Sequence, residues 1–266
     1  MKSFLKWAGN KYRIIEQIKF CLPKGKRLIE PFIGSATVFL NTLYPSYLLA
    51  DSNRDLIHLY QKLQEEGQSF INYCRIFFDS NFNNAEEFYR LRRLFNDSKE
   101  NRIRAALLLY LNKHCFNGLA RFNKKGQFNT PFSCYKSPYF PEKEMQFFYK
   151  QSKLAQIIHA DFSSTLTLAK RGDVVYCDPP YVGLSKTANF THYTADGFNK
   201  DQQIKLANTA KALASRGITV IISNHDTEFT RNIYQGAILF PFSVQRNISS
   251  KGSQREKAAE LLAIFK

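Results

Sequence analysis

Acidic side chains are scarce in this sequence. Against 38 lysines and arginines, the 266-residue chain carries 22 aspartates and glutamates, a formal net charge of +16. That balance suits a polyanionic partner, most often nucleic acid; a merely basic surface, or one that meets anionic membranes, remains open. Cysteine is sparse and unpatterned. Cys21, Cys74, Cys115, Cys134 and Cys177 include no CxxC pair, which points to a reducing compartment and argues against a structural zinc site. No apolar run reaches the length of a membrane span, and Lys6 and Trp7 come too early for a signal peptide. A cytoplasmic enzyme without a metal is the expectation. There is no repeat and no low-complexity tract. Aromatic residues, by contrast, are plentiful: 24 Phe, 14 Tyr and a hydrophobic fraction of 44% describe a folded protein. The length fits one large domain, or one domain plus an insertion.

The most informative stretch runs from Gly172 to Tyr181. Val174 to Cys177 reads as a buried strand. It stops at Pro179 and Pro180, which have no N–H and cannot extend a ladder. Asp178, two rigid residues and the Tyr181 ring are thereby delivered to a strand end, the edge where open α/β sheets bind ligands. Such a group suits alkylation of an exocyclic amine. An amine like adenine N6 is a poor nucleophile because its lone pair is delocalised. Acceptors aimed at its two hydrogens, the Asp178 carboxylate and the Pro179 carbonyl, would favour a more pyramidal nitrogen. The two prolines hold those acceptors still, and Tyr181 can stack on a base. The bland alternative is a proline turn, with Asp178 as a turn residue and Tyr181 as packing.

Around it, strands and helices alternate at both ends of the chain. Phe4 to Tyr12 holds the sole tryptophan, Trp7, with Lys6 and Lys11; it reads either as a packed N-terminal arm or as a loop lining a cofactor pocket. Arg27 to Phe32 reads as a strand, then the small-residue turn around Gly34 and a helical run through Val38, Phe39 and Leu40. Strand, turn and helix form half of a nucleotide-type site. Tyr47 to Asp51 is a second strand whose terminal carboxylate can accept from ribose hydroxyls or cap the helix that follows. From about residue 56 to 145 helical patterns dominate, Ile103 to Leu111 most clearly. There, Asn112 to Tyr139 interleaves Phe116, Phe122, Phe128, Phe132 and Tyr135 with Asn117, Arg121, Asn123, Lys124 and Lys125. Such a mixture offers phosphate, base-edge and stacking contacts, or is a loop-rich subdomain with solvated charges. The alternation resumes with Ile157 to Asp161 and the Asp178 strand. Asn199 to Arg216 is a capped helix stopped by Gly217, and Ile218 to Ser223 is a strand ending in Asn224-His225-Asp226. Leu239 to Val244 and Glu260 to Phe265 are the last strands, joined by a polar basic loop, Gln245 to Arg255.

Taken together, Phe4 to Tyr12, Glu30-Pro31-Phe32, Asn117 to Arg121, Val174 to Tyr181 and Ser223 to Asp226 resemble the Dam family of DNA adenine-N6 methyltransferases, in the α order of motifs. The resemblance covers essentially the whole chain. It implies an α/β fold, a Rossmann-like S-adenosylmethionine-dependent methyltransferase sheet (residues 1–55 and 146–266) with an inserted, mostly helical DNA-recognition domain (56–145). It implies methyl transfer from S-adenosylmethionine to a flipped adenine in double-stranded GATC by a monomer. Catalysis then falls to Asp178, Pro179, Pro180 and Tyr181. Cofactor contacts fall to Trp7, Lys11, Phe32, Gly34, Asp51, Asp161 and Asp178, and DNA contacts to Lys6, Phe116, Asn117, Leu119, Arg121, Asn123 and Tyr135. Ala36 replaces a glycine usual in the cofactor turn, Cys134 an arginine beside Tyr135, and Phe116 a common tyrosine. The alternatives kept open are cytosine-N4, RNA-adenine or protein-glutamine methylation, and a non-catalytic DNA-binding protein on the same scaffold.

Overall fold

The computed structural model describes residues 1–181, 198–245 and 257–266; the basic loop after Gln245 lies outside them. Seven strands form one sheet among these residues. They are β1 (Arg27–Glu30), β2 (Tyr47–Asp51), β3 (Ala155–His159), β4 (Asp173–Cys177), β5 (Thr219–His225), β6 (Ile238–Gln245) and β7 (Lys257–Phe265). Their order is β3-β2-β1-β4-β5-β7-β6. The first five are parallel, while β7 runs antiparallel between β5 and β6. After β1 the chain moves outward to β2 and β3, then returns to lay β4 on the other side of β1. The crevice outside the carboxyl ends of β1 and β4 is therefore the switch point at which open α/β sheets bind ligands.

The helices are α1 (Ile15–Cys21), α2 (Arg54–Glu66), α3 (Gln68–Ile76), α4 (Ala85–Asp97), α5 (Asn101–His114), α6 (Glu142–Ser152), α7 (Phe162–Thr167), α8 (Lys200–Ala214) and α9 (Glu228–Ile233). The strand period of two divides them between two cores. Val174 and Tyr176 of β4 face the core shared with α1, α2, α5 and α6, whereas Val175 and Cys177 face the one shared with α7 and α8. All five residues of β4 are buried, as expected of a central parallel strand covered on both sides. Each large aliphatic so buried contributes roughly 1.5–3 kcal/mol.

Local signals set the boundaries. Asn199 and Gln202 make the reciprocal capping box that starts α8, and Gly217 supplies a left-handed φ of 74° beyond its end. Asn53, not Asp51, caps α2 by accepting from Leu56 N–H. The helical run expected through Val38 to Leu40 is only a 3-10 turn, Phe39–Asn41. Thr42 ends it in an extended conformation, and its hydroxyl is drawn back to the Val38 carbonyl. In the helical region α4 holds a polar hairpin: Asn96 accepts from Phe128 N–H at 2.8 Å and donates to the Phe128 carbonyl at 3.2 Å.

Candidate active site

Asp178 ends β4, and Lys11 meets it there. Lys11 Nζ lies 2.9 Å from Asp178 Oδ1, 3.1 Å from the Gly9 carbonyl and 4.4 Å from the Tyr181 ring centroid. Burial pushes the Asp178 carboxyl above its usual value, with Lys11 pulling the other way. Burial also works against the Lys11 cation, but Asp178, Tyr176 and Glu260 together hold it above the ordinary lysine value. Lys11 is thus a resident cation that opposes the rise which burial imposes on this carboxyl. Tyr181 is braced all round: its hydroxyl is 2.8 Å from Ser223 Oγ and donates to Glu260 Oε2 at 3.3 Å, and His225 packs edge-on at 4.5 Å. The Pro180 carbonyl accepts from Gln203 Nε2 at 2.9 Å, and the Gln203 amide is itself held by Asn224, which also donates to Tyr234. The strand-end residues are immobilised by a buried polar relay from β5 and α8.

The crevice side of β1 and β2 carries two further acids. Glu30 is 2% exposed, and its Oε1 is a buried oxygen without a partner. Burial raises its pKa to about 8; repulsion by Asp178 adds to the rise, and a bond from Phe39 N–H opposes it. Asp51 accepts from Gly34 N–H at 3.1 Å and from Asn53 N–H at 2.9 Å. Burial still leaves its carboxyl above the usual range. Gly34 has φ 45°, its carbonyl accepts from Tyr60 at 2.6 Å, and a Cβ there would sit 3.3 Å from the Trp7 ring. The turn thus needs a residue that tolerates positive φ and presents its backbone beside an indole. Ala36 in the same turn has φ 58°. Phe32 stacks on Phe162 at 5.6 Å and meets Phe198 edge-on at 5.5 Å, which makes an aromatic wall. Asp161 caps α7 through Ser164, whose backbone N–H holds its carboxyl below the ordinary value.

The other sequence-derived positions gather on one surface. α5 ends at His114 and the chain turns through Phe116–Gly118, with Asn117 at φ 54°. Phe116 is 52% exposed. Arg121 is exposed, its Nε donating to Asn129 Oδ1 at 2.8 Å and its Nη2 to the Asn129 carbonyl at 3.2 Å. Asn123 closes the hairpin tip: its Oδ1 accepts from the backbone of Lys125 and Gln127, and its amide donates to Gln127. That side chain builds the turn. Tyr135 accepts from Asn117 N–H at 3.2 Å, and Lys6 Nζ sits 4.4 Å from its ring centroid. A cavity of about 320 Å³ separates the N-terminal arm (Lys6, Trp7, Asn10, Tyr12) from Asn117, Gly118 and Leu119. Its lining excludes residues 178–181, so it lies beside the Asp178 cluster and not in it.

Sequence reasoning gives Asn112, Gln203 and Glu260 no role and notes Ser223 and Asn224 only as part of a motif. Asn112 is fully buried; its Oδ1 accepts from Lys6 N–H at 2.9 Å, and its amide donates to the carbonyls of Lys6 at 2.7 Å and Gly118 at 3.0 Å. It ties the N-terminal arm to the turn bearing Phe116 and Asn117. Gln203, Asn224, Ser223 and Glu260 form the shell behind residues 178–181. A polar residue at an apolar helical phase, as Asn112 is directly after Leu107 to Leu111, was the available signal. Gln203, in the first turn of α8, carried none.

Comparison with known proteins agrees with this geometry. Residues 7–248 match the family described as D12 class N6 adenine-specific DNA methyltransferase. The chain is 47% identical to DNA adenine methylase of Vibrio cholerae over 99% of its own length and 96% of that protein's. It is 47% identical to that of Serratia marcescens, over 100% and 98% of the two chains. With DNA adenine methylase of Escherichia coli K12 it shares 46% identity over 100% and 95%. A match over nearly the full length, on a sheet whose switch point carries Asp178 to Tyr181, makes the chain a member of the D12 class of N6 adenine-specific DNA methyltransferases.

Proposed function

We propose that the protein methylates N6 of adenine in double-stranded GATC with S-adenosylmethionine as donor, on a base turned out of the helix. The observation that carries this reading is Asp178, paired with Lys11 at the switch point, beside the acid-lined crevice of Glu30 and Asp51. The residues present fit the donor. The partnerless Glu30 oxygen is an acceptor for its ammonium, Asp51 has lone pairs left for a ribose diol, and Phe32 with Phe162 offers a flat wall for a purine. Trp7 and Lys11 close the same crevice from the N-terminal arm, Gly34 borders it, and Asp161 stands at its β3 end. Bound there, the donor supplies an electrophilic methyl group.

The chain's own residues do the rest. Asp178 accepts from the exocyclic amine, with acceptor capacity beyond its Lys11 bond, and the Pro179 carbonyl accepts the second hydrogen. Gln203 on the Pro180 carbonyl fixes the peptide that follows, so little reorganisation accompanies reaction. The base must leave the stack to reach this pocket. Phe116 fills the space it vacates, Asn117 and Leu119 face the opened step, and Tyr135 and Lys6 track the adjoining backbone and base edges. Arg121 reads a guanine, and Asn123 shapes the hairpin that presents it. Residues 56–145 act as the recognition domain and the remainder as the catalytic domain. One chain carries both, so a monomer in the cytoplasm suffices. Methylation of random duplex DNA, followed by mapping of the modified base, tests the reading. N6-methyladenine confined to GATC is expected; N4-methylcytosine, another context, or methylation of RNA alone would overturn it.

A further inference from the structure

The five parallel strands start at the edge opposite the active site, and β7 ends there, with Phe265 beside Val220. The chain places a cluster of cations along this edge. Lys24 and Lys26 precede β1, Lys170 and Arg171 precede β4, Arg216 precedes β5 and Lys266 follows β7; all six are exposed. They adjoin one another. Lys26 N–H donates to the Gly172 carbonyl at 2.8 Å, the Lys26 stem lies against Gly172, and Arg216 donates to the Ala169 carbonyl at 3.3 Å. Among the described residues, the acid at these strand starts is Asp173, which is already held by Arg27 at 2.6 Å. The acids of the sheet otherwise stand at its far edge, as Glu30, Asp51, Asp161, Asp178 and Glu260 do. Lysine and arginine beyond helix C-termini complement the macrodipole, which accounts for Lys170, Arg171 and Arg216 after α7 and α8. It does not account for Lys26 or Lys266, which flank strands.

We propose that this edge binds a second segment of duplex DNA while the first occupies the active site. β1, β4, β5 and β7 are consecutive neighbours, so at ~4.8 Å per strand the cluster spans about 15 Å before side-chain reach. A duplex carries one negative charge per ~1.7 Å with both strands counted, so that length holds roughly nine phosphates, only some of which face the cluster. The occupant follows from charge complementarity and supply. A long polyanion held at one face offers its own neighbouring segments to the other at high effective concentration. Exposed aliphatics also stand at this edge: Leu43 and Leu154 on the loops entering β2 and β3, Leu168 two residues before Lys170, and Ile238 at the start of β6.

The test uses the full-length protein on an immobilised short GATC duplex, with capture of a labelled second duplex lacking GATC. If three phosphates are neutralised, capture should weaken about 40-fold between 50 and 200 mM salt. The triple variant Lys24→Glu, Lys170→Glu, Arg171→Glu should lose capture at least tenfold while staying bound to the immobilised duplex as the parent does. The alanine triple should fall between them. Retention on the first duplex reads the active-site face without requiring methyl transfer, so failure of the proposed activity leaves this result legible. Undiminished capture by the variant, equal loss of both duplexes, or loss only of binding to phosphatidylserine vesicles would each overturn the proposal.

Discussion

Replacing Glu30 by glutamine should change how stability depends on pH, in a direction fixed by its surroundings. Glu30 is fully buried, with one oxygen unpartnered, and its pKa rises from 4.5 to about 8. A carboxyl raised on folding binds its proton more tightly in the native chain than in the unfolded one. Stability is then present at low pH and is lost as pH climbs from about 4.5 to 8. At 1.36 kcal/mol per pH unit the loss approaches about 5 kcal/mol as an upper bound. Glutamine cannot ionise. Glu30→Gln should therefore match the parent near pH 5 and exceed it above pH 8, with a flatter profile between. Urea unfolding at pH 5, 7 and 9 in the absence of donor measures this directly. Parallel profiles for the two proteins would refute the argument, because they would mean that Glu30 is already ionised, or already paired, in the folded chain.

Four further outcomes follow from the geometry. Asp178→Ala should nearly abolish methyl transfer yet retain DNA on a filter; near-parental turnover by a folded variant would remove the acceptor mechanism. Asp51→Ala should raise the donor dissociation constant by the equivalent of roughly 1.5–3 kcal/mol, the value of a charge-assisted bond, while DNA affinity moves less, as calorimetry would read. Arg121→Ala should cost roughly 1–3 kcal/mol of discrimination at one base pair if the guanidinium reads guanine. Uniform weakening on all sequences, with a salt slope lower by about one, would reassign it to phosphate. Gly118→Ala must place a Cβ 2.4–2.5 Å from the Lys6 stem at φ 66°; it should lower activity on duplex DNA more than donor affinity, which paired titrations would separate.

What was legible in the sequence was whatever a local rule writes into neighbouring residues. Val174 to Cys177 followed by two prolines announced β4 and its end. Asn199 with Gln202 announced α8, because a capping box is a four-residue device. Less legible was anything decided by distant contacts. Asp51 offered two local readings, ribose acceptor and helix cap. The cap went to Asn53, while the Asp51 carboxylate spans to Gly34, seventeen residues away. The helix expected after Gly34 shrank to a 3-10 turn, a choice made by the Thr42 hydroxyl and by packing, not by propensity. Asn123 looked like a hydrogen-bonding side chain available to a ligand, yet its oxygen is consumed in forming the tip turn, a common fate of asparagine in short hairpins.

The same reasoning explains why the supporting residues are amides. Asn112, Gln203 and Asn224 are each completely buried, and each joins chain segments far apart in sequence. An amide offers donors and an acceptor without charge, so it can hold a backbone carbonyl and an N–H together where burying an ion would be costly. Asn112 does this for Lys6, taking its N–H and its carbonyl at once and the Gly118 carbonyl besides. The arm that carries Trp7 and Lys11 toward Asp178 is thereby fixed to the turn that displays Phe116 and Asn117. Lys6 in turn lies over Tyr135, whose hydroxyl accepts from Asn117, and closes a loop of contacts between the two segments. The Asn117 turn and the arm that supplies Lys11, the cation facing Asp178, are thus held against each other. Arm and turn are joined through this uncharged side chain and through Lys6 on Tyr135, and no spacing in the sequence displays that join.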